Sequence, residues 1–484
     1  MELAGMLDPA ESGLDRRGFL NFSAAGLGAV ALAGLFDNDR SVAAEKKVES
    51  APQRAAKAKR ALHICLVGGL SQVDSFDYKP ELEKLHGKPM PGEERPQVFF
   101  NNVGQLRKSE WKFHQRGESG LWVSELFPHL ATVADELTVI RSMVADTGNH
   151  MPAMFQENSG FQSNGFPSLG SWLSYGLGNE VDSLPTFVVL PDARSLPNGG
   201  AANWSNGFLP ARHQGTLFSG GKQPIRNLFA EQELPAEAEK SALGLLAEIN
   251  QAHLSRRGEN ELLKARIRAY VLAAKMQTSV PEVINFADEP ESVTGLYGLD
   301  QNETADCGRR CLLARRLLER GVRFVQLYSG GAFGGKPRHG WDGHENNREN
   351  HSGEAKRIDR PIAGLLKDLK QRGMLQDTLI LFTSEFGRTP FAQSPANKLG
   401  LGRDHNPEGF TVWMAGAGLK QGIAHGATDD VGWRAKVDPV TWPDFHATVL
   451  HLLGIDHESL TYYHNGIERR LTNVHGHVVE GILA

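Results

Sequence analysis

The sequence predicts an α/β fold: a doubly wound, mostly parallel sheet with helices on both faces. Two observations carry this. The strand-like segments are uninterrupted apolar runs, as expected of strands covered on both sides. They also alternate along the chain with segments of helical periodicity.

Taken in order, ALHICLVGG (61–69) is the first strand, closed by Gly-Gly. SELFPHLATVADE (124–136) reads as a helix and LTVIRSM (137–143) as the next strand. PTFVVLP (185–191) is another strand. Residues 192–235, rich in Gly, Asn, Pro and Ser, read as a long irregular insertion, a candidate rim over a site. Residues 237–277 and 303–320 carry helical periodicity rich in Ala, Leu, Arg and Glu. VRFVQLYSG (322–330) is a strand, and SGEAKRIDRPIAGLLKDLKQRG (352–373) is an amphipathic helix bounded by Ser and Gly. DTLILFTS (377–384) and GFTVWMAG (409–416) are strands, and DFHATVLHLLG (444–454) is a closing helix. No internal repeat is visible.

The 484 residues allow two or three domains by length, but large α/β folds often use this length as one domain with insertions. Composition is that of a globular protein, 40% hydrophobic and 23% charged. A net charge of −5 gives no general basic field, so nucleic acid is not an expected partner. Three cysteines, an odd and low count, argue against a disulfide framework. Cys65 lies in an apolar run and reads as core. Cys307 and Cys311, four apart in a helical stretch, are buried neighbours, an occasional disulfide or half of a metal site.

The N-terminus reads as an address. Arg16 and Arg17 are followed by Phe19-Leu20 and a weakly hydrophobic Ala/Gly/Leu run. This resembles a twin-arginine export signal over 1–44, with Val42-Ala43-Ala44 as cleavage site. The run is too short and glycine-rich for a good spanning helix, so no stable membrane span is expected after cleavage. The expected partner is the twin-arginine translocase, which carries folded and often metal-loaded proteins; the expected location is the periplasm or cell envelope. Residues 45–60 are polar and basic and read as a flexible linker, leaving 61–484 as the main domain.

In doubly wound sheets, ligands bind beyond the carboxyl ends of the strands. The first strand is followed by Asp74 and Asp77, and the second by Asp146, His150 and Gln156. VRFVQLYSG is followed by His339, Asp342, His344, Glu345 and His351. DTLILFTS is followed by Glu385 and Arg388, then by Asp404 and His405. Carboxylates with imidazoles suit Zn²⁺, Mn²⁺ or similar ions. Asp342 and His344, two apart, can face one way on an extended loop. A divalent metal (Zn, Ca, Mg or Mn) held mainly by Asp342, His344, Asp404 and His405 is expected.

GGLSQVDSFDYKPEL, NHMPA, HGWDGHENN, TSEFGRTP, GRDHNPEGFTVWMAGAGLKQG, HGATDDVGW and the final HATVLHLLGIDHESLTY segment together resemble the DUF1501 proteins. These are exported proteins, abundant in Planctomycetes, and the resemblance covers about 61–480. It implies the alkaline phosphatase/sulfatase-like fold, with metals at the strand ends. It also implies a first ligand carboxylate at Asp74, with Asp77 second, and later ligands at Asp342, His344 and His405. His150 takes the nucleophile position, where that superfamily has Ser, Thr or formylglycine. Its Ser-Asp-His-Gly matches Ser384-Glu385-Phe386-Gly387, keeping a carboxylate and replacing the histidine by phenylalanine.

The expected function is metal-dependent hydrolysis of sulfate or phosphate esters of a small molecule or glycan. His150 would be the acid, base or nucleophile, and Arg388 a bidentate anion holder. The alternative is a non-catalytic protein on the same scaffold that binds a metal, an anion or a carbohydrate. In that case the 192–235 insertion and Trp341, Trp413, Trp433 and Trp442 offer a carbohydrate surface, although core is the favoured reading of these tryptophans.

Overall fold

The middle of the sheet explains the rest of the architecture. In the computed structural model, residues 54–92, 96–219, 225, 228, 235–257, 261–331 and 340–484 are described. In chain order the first strands of the central sheet are β1 (Arg60–Leu66), β2 (Leu137–Val144), β3 (Phe187–Leu190), β4 (Thr216–Leu217), β5 (Phe324–Ser329) and β6 (Thr378–Ser384). A separate ribbon of β7 (Gly387–Ala392) and β8 (Arg403–Asn406) follows, then β9 (Phe410–Gly416), β10 (Ile423–His425) and β11 (Val440–Thr441). Nine of these form one sheet in the order β10-β2-β9-β6-β1-β5-β3-β4, with β11 beside β2.

Every pairing in that sheet is parallel except those of β9, which runs antiparallel to β2 and β6. The exception has a simple cause. The β7–β8 ribbon carries the chain away from the carboxyl rim of β6 and back to it without a crossover helix. A strand entered from that rim must run the other way.

The longer helices are α1 (His150–Ser159), α2 (Leu169–Leu177), α3 (Ala236–Arg257), α4 (Glu261–Ile284), α5 (Asn302–Glu319), α6 (Asn347–Gln371) and α7 (Trp442–Leu452). Two separate cores show that both faces are covered. Leu62, Ile64 and Leu66 of β1 pack with α5 and α6. Ala61, Cys65 and Val67 pack with α1, α2 and α7. This is the period-2 alternation of a strand feeding two layers of helix. Trp413 of β9 stacks on Phe382 of β6 at 4.5 Å between ring centroids in the first core. Trp341, Trp413, Trp433 and Trp442 are all buried, so these tryptophans are core and not a sugar-facing surface.

Other expectations need correction. Residues 124–136 are not an α-helix but 3-10 turns over Leu130–Glu136, after a short strand, Leu121–Ser124. Pro128 disfavours helix in the residue before it, and Val133 has non-helical backbone angles. The helix expected at 352 begins at Asn347, because the Asn346 side chain accepts from the Glu349 amide and caps it. The last helix starts at Trp442 through a Thr441–Asp444 capping box. The periodicity over 237–277 resolves into α3 and α4.

Residues 54–60, expected as linker, are partly tied down. Arg54 donates to Gly454 O, Lys57 and Ala58 to Leu452 O, and Arg60 opens β1. The export segment with Arg16 and Arg17, and linker residues 45–53, lie outside the described residues. The described part of the irregular insertion holds two 3-10 turns and β4, which adds an edge strand beside β3. Among the described residues no helix is long and apolar enough to cross a membrane.

Asp359 of α6 fastens that helix to the turn preceding β2. Its carboxylate accepts from the His129 amide at 2.7 Å and the Leu130 amide at 2.8 Å. Burial outweighs these bonds and pushes its pKa from 3.8 up to about 7. The folded chain therefore keeps this proton through a range where the unfolded chain has lost it. The stabilisation is complete below about pH 4 and disappears as pH rises through about 7. Comparing Asp359→Asn with wild type by thermal melts at several pH values checks this. The variant is expected to gain on wild type between those limits; a Tm difference independent of pH would contradict it.

Candidate metal centre

Four buried side chains from three separate segments meet at the carboxyl rim: His150, Asp342, His344 and His405. His150 is the first residue of α1, just after β2. Asp342 and His344 lie between β5 and α6, where a tight turn bonds the His344 amide to Asp342 O at 3.1 Å. His405 sits on β8, paired in register with Arg388 of β7. Gly68, after β1, allows the close approach. Its φ is +121°, and an added Cβ would lie 2.6 Å from the Asp342 amide nitrogen.

The geometry centres on one atom. Asp342 Oδ1 lies 2.8 Å from His344 Nε2, 3.3 Å from His405 Nε2 and 3.4 Å from His150 Nε2. The opposite ring nitrogens are each held by an oxygen. His150 Nδ1 is 2.7 Å from Glu385 Oε1, His405 Nδ1 is 2.5 Å from the Gly148 carbonyl, and His344 Nδ1 meets Gln393 Oε1. A backbone carbonyl can only accept, so His405 must carry its proton on Nδ1. Glu385 already accepts from the Gly68 amide, at 2.9 and 3.2 Å, which favours the same tautomer for His150. In the neutral rings the Nε2 lone pairs therefore face a carboxylate oxygen. Such a set of electron-rich atoms calls for a cation among them, and oxygen-anchored imidazoles are the usual support of a metal site.

Burial pushes the Asp342 carboxyl up, but Arg388 and the three imidazoles overcome it and hold the group far below the usual carboxylate range. For His150, burial lowers the pKa, while hydrogen bonds to Asp342 and Glu385 more than compensate and leave it raised. For His405, burial dominates and the pKa falls well below the ordinary value, with Arg388 adding to the effect.

Several residues expected in the site are placed elsewhere or differently. Asp74, expected as a ligand, is a buried ion-pair partner: it accepts from Arg403 Nε at 2.8 Å, Ser71 Oγ at 2.6 Å and Asn347 Nδ2 at 3.0 Å. Asp77 pairs with Lys79 and accepts from Thr428. The Asp404 carboxylate turns away from the cluster to the amides of Phe100, at 3.0 Å, and His405, at 2.7 Å. Glu385 is outside the four-residue set and reaches it through His150.

Arg388, expected to clamp an anion, is fully buried. It donates to Asp342 Oδ1 at 2.6 Å and to the carbonyls of Gly68, Gly69 and Arg403. His351 accepts from the Ser71 amide, Asp146 is bonded to Gln156, and His339 lies outside the described residues.

The sequence reading missed the supporting contacts. Gln393 and the Gly148 carbonyl anchor two imidazoles, and neither carries a sequence signal. Gln72 fixes Arg388 by accepting from its amide at 2.9 Å and donating to its carbonyl at 2.8 Å. Phe386 does not coordinate but walls the cluster, with its ring 4.9 Å from His150 and 4.5 Å from His405. Half-exposed Phe99 and Phe100 cover the other side, 5.2 Å from His405 and 5.0 Å from His344.

No curated protein matches the chain. Among solved structures, the lipoteichoic acid synthase LtaP from Listeria monocytogenes is similar at 12% identity and a TM-score of 0.36, covering 83% of this chain and 74% of that one. The C-terminal periplasmic domain of EcEptC from Escherichia coli, a complex with Zn, is similar at 11% identity and a TM-score of 0.34, covering 83% and 84%. The PsFucS1 sulfatase from Pseudoalteromonas sp. is similar at 14% identity and a TM-score of 0.33, covering 86% and 72%. Likenesses this loose carry no argument about chemistry. The family comparison is of a different kind, because its match runs over residues 58–483, nearly all of the described chain. The chain belongs to the family described as Protein of unknown function (DUF1501).

Proposed function

We propose that this protein is a metal-dependent hydrolase of sulfate or phosphate esters, working with an ion held by Asp342, His344 and His405. One observation carries the metal: three imidazole Nε2 atoms converge on Asp342 Oδ1, with oxygens behind the rings. The ester class is supported by the resemblance of the rim segments to phosphatase and sulfatase patterns. A bound divalent ion supplies Lewis acidity toward an ester oxygen and acidifies water.

The chain's own residues do the rest. Three ligands leave room at the ion, as catalytic zinc sites do. His150 faces that room. Glu385 accepts from its Nδ1 and fixes the ring, so that Nε2 points into the site. Burial lowers the His150 pKa, but hydrogen bonds to Asp342 and Glu385 leave it raised, which favours the acid form that donates a proton to the leaving oxygen. Arg388 offsets the charge of Asp342 and is not the substrate clamp. Phe386, Phe99 and Phe100 keep bulk water off the cluster. The segment with Arg16 and Arg17 directs export through the twin-arginine translocase to the periplasm or envelope.

A second reading, a binding protein without turnover, is favoured by two specific facts. His150 stands where a hydroxyl or thiol nucleophile is expected, and Arg388 is already committed.

Elemental analysis of the purified full chain is expected to find a divalent metal; none at all after gentle purification would end the hydrolase reading. A screen of aryl sulfate and phosphate esters then separates the two readings, since metal without turnover supports the binding protein. His150→Ala should lower turnover by about 10²–10⁴-fold with metal retained. Loss of metal together with activity would make His150 a ligand instead.

Glu385→Gln removes one of the two carboxylates, Asp342 and Glu385, that raise the His150 pKa against the effect of burial. A general acid works only while protonated, so the alkaline limb of the pH–rate profile should move to lower pH. An unchanged profile would leave Glu385 a purely structural residue. Lysine at both Arg16 and Arg17 should hold the protein in the cytoplasmic fraction on cell fractionation; normal export would remove the twin-arginine assignment.

A further inference from the structure

A second buried polar cluster lies deeper in the sheet and shares no residue with the rim site. His63 and Cys65 leave β1 on the face covered by α1 and α7. The strand register puts Gln326 of β5 beside His63 and Thr383 of β6 beside Cys65. Glu157 comes from α1, and its backbone carbonyl bonds to His446 of α7 at 2.9 Å. His63, Cys65 and Glu157 each offer a donor atom within 4.8 Å of the others, and all three are buried.

As a plain core, this arrangement is poor. Thr383 donates to Glu157 Oε1, but Glu157 Oε2 is buried without a hydrogen-bond partner. His63 Nδ1 and Gln326 Oε1 share that condition. Among the described residues no lysine or arginine pairs with Glu157, and the nearest basic group is His63, at 3.8 Å. Each unsatisfied buried group costs about 1–3 kcal/mol.

The two separations from His63 fit an ion. Tetrahedral ligand bonds of about 2.0–2.3 Å place the ligand atoms about 3.3–3.8 Å apart. His63 Nε2 lies 3.4 Å from Cys65 Sγ and 3.8 Å from Glu157 Oε1. Gln326 Nε2 points at Cys65 Sγ from 3.5 Å, the kind of donor that supports a thiolate ligand. Thr383 Oγ1 gives its one proton to Glu157 Oε1, so with no ion bound it accepts from His63 Nε2 at 2.7 Å; Nε2 ligates an ion in the tautomer that carries the proton on Nδ1, an atom buried without a partner.

We propose that His63, Cys65 and Glu157 form a second metal site, suited to zinc or a similarly borderline divalent ion. An ion there ties β1 to α1, the helix that begins at His150. Binding releases the thiol proton as the sulfur becomes a thiolate ligand.

Cobalt(II) reads this site apart from the rim, because the rim ligands include no sulfur. The full chain, produced in zinc-depleted, cobalt-supplemented medium, should show a near-ultraviolet thiolate-to-cobalt charge-transfer band. Cys65→Ala should abolish the band and lower bound cobalt by one equivalent per chain. Cys307→Ser with Cys311→Ser should leave it intact. His344→Ala should also leave it intact, so failure of the rim site is distinguishable from failure of this one. Folded wild-type protein without the band, or a band that survives Cys65→Ala, would overturn the proposal.

Discussion

The negative charge of Asp342 organises the rim. A carboxylate this deeply buried is tolerated only because Arg388 and three imidazoles face it, and each of those partners needs its own support. Arg388 is held by carbonyls on both sides of the Gly68–Gly69 bend and by Gln72. The imidazoles are held by Glu385, Gln393 and the Gly148 carbonyl. The strand order follows the same logic. β6 and β1 are neighbours, so Glu385 and the Gly68 amide meet, and the β7–β8 ribbon brings Arg388 and His405 back over them.

Much of the architecture was legible in the sequence, because strands buried on both faces must be apolar throughout. Each of the six long apolar runs became a strand of the sheet. Helix starts were less legible. They depend on which polar side chain reaches a backbone amide, as Asn346 does, and a serine six residues later makes an equally good candidate on paper. The antiparallel β9 left no mark in composition, since its direction is set by the short ribbon before it.

At the site, the sequence located the rim but not the aim of each side chain. Asp342, His344 and His405 meet as expected. Asp74 does not join them, because Arg403 lies closer and takes its charge. Asp404 alternates outward from His405 along β8, and so it serves backbone amides. Gln393, Gln72 and Gly148 act through single hydrogen bonds, which no spacing rule reveals. His63, Gln326 and Thr383 did leave a trace: each is a polar residue inside an apolar strand, on the face turned toward α1.

Helix α1 links the two clusters. His150 opens it and Glu157 follows seven residues later, two turns and about 10 Å along the same face. The helix thus behaves as a keyed shaft with a tooth at each end. Inserting or deleting one residue between them turns one tooth by about 100° against the other, so no rigid rotation can seat both. Its outward face, marked by the exposed Met151, is free of that constraint. The interval between these two residues, more than the identity of those between them, is therefore what this helix has to preserve.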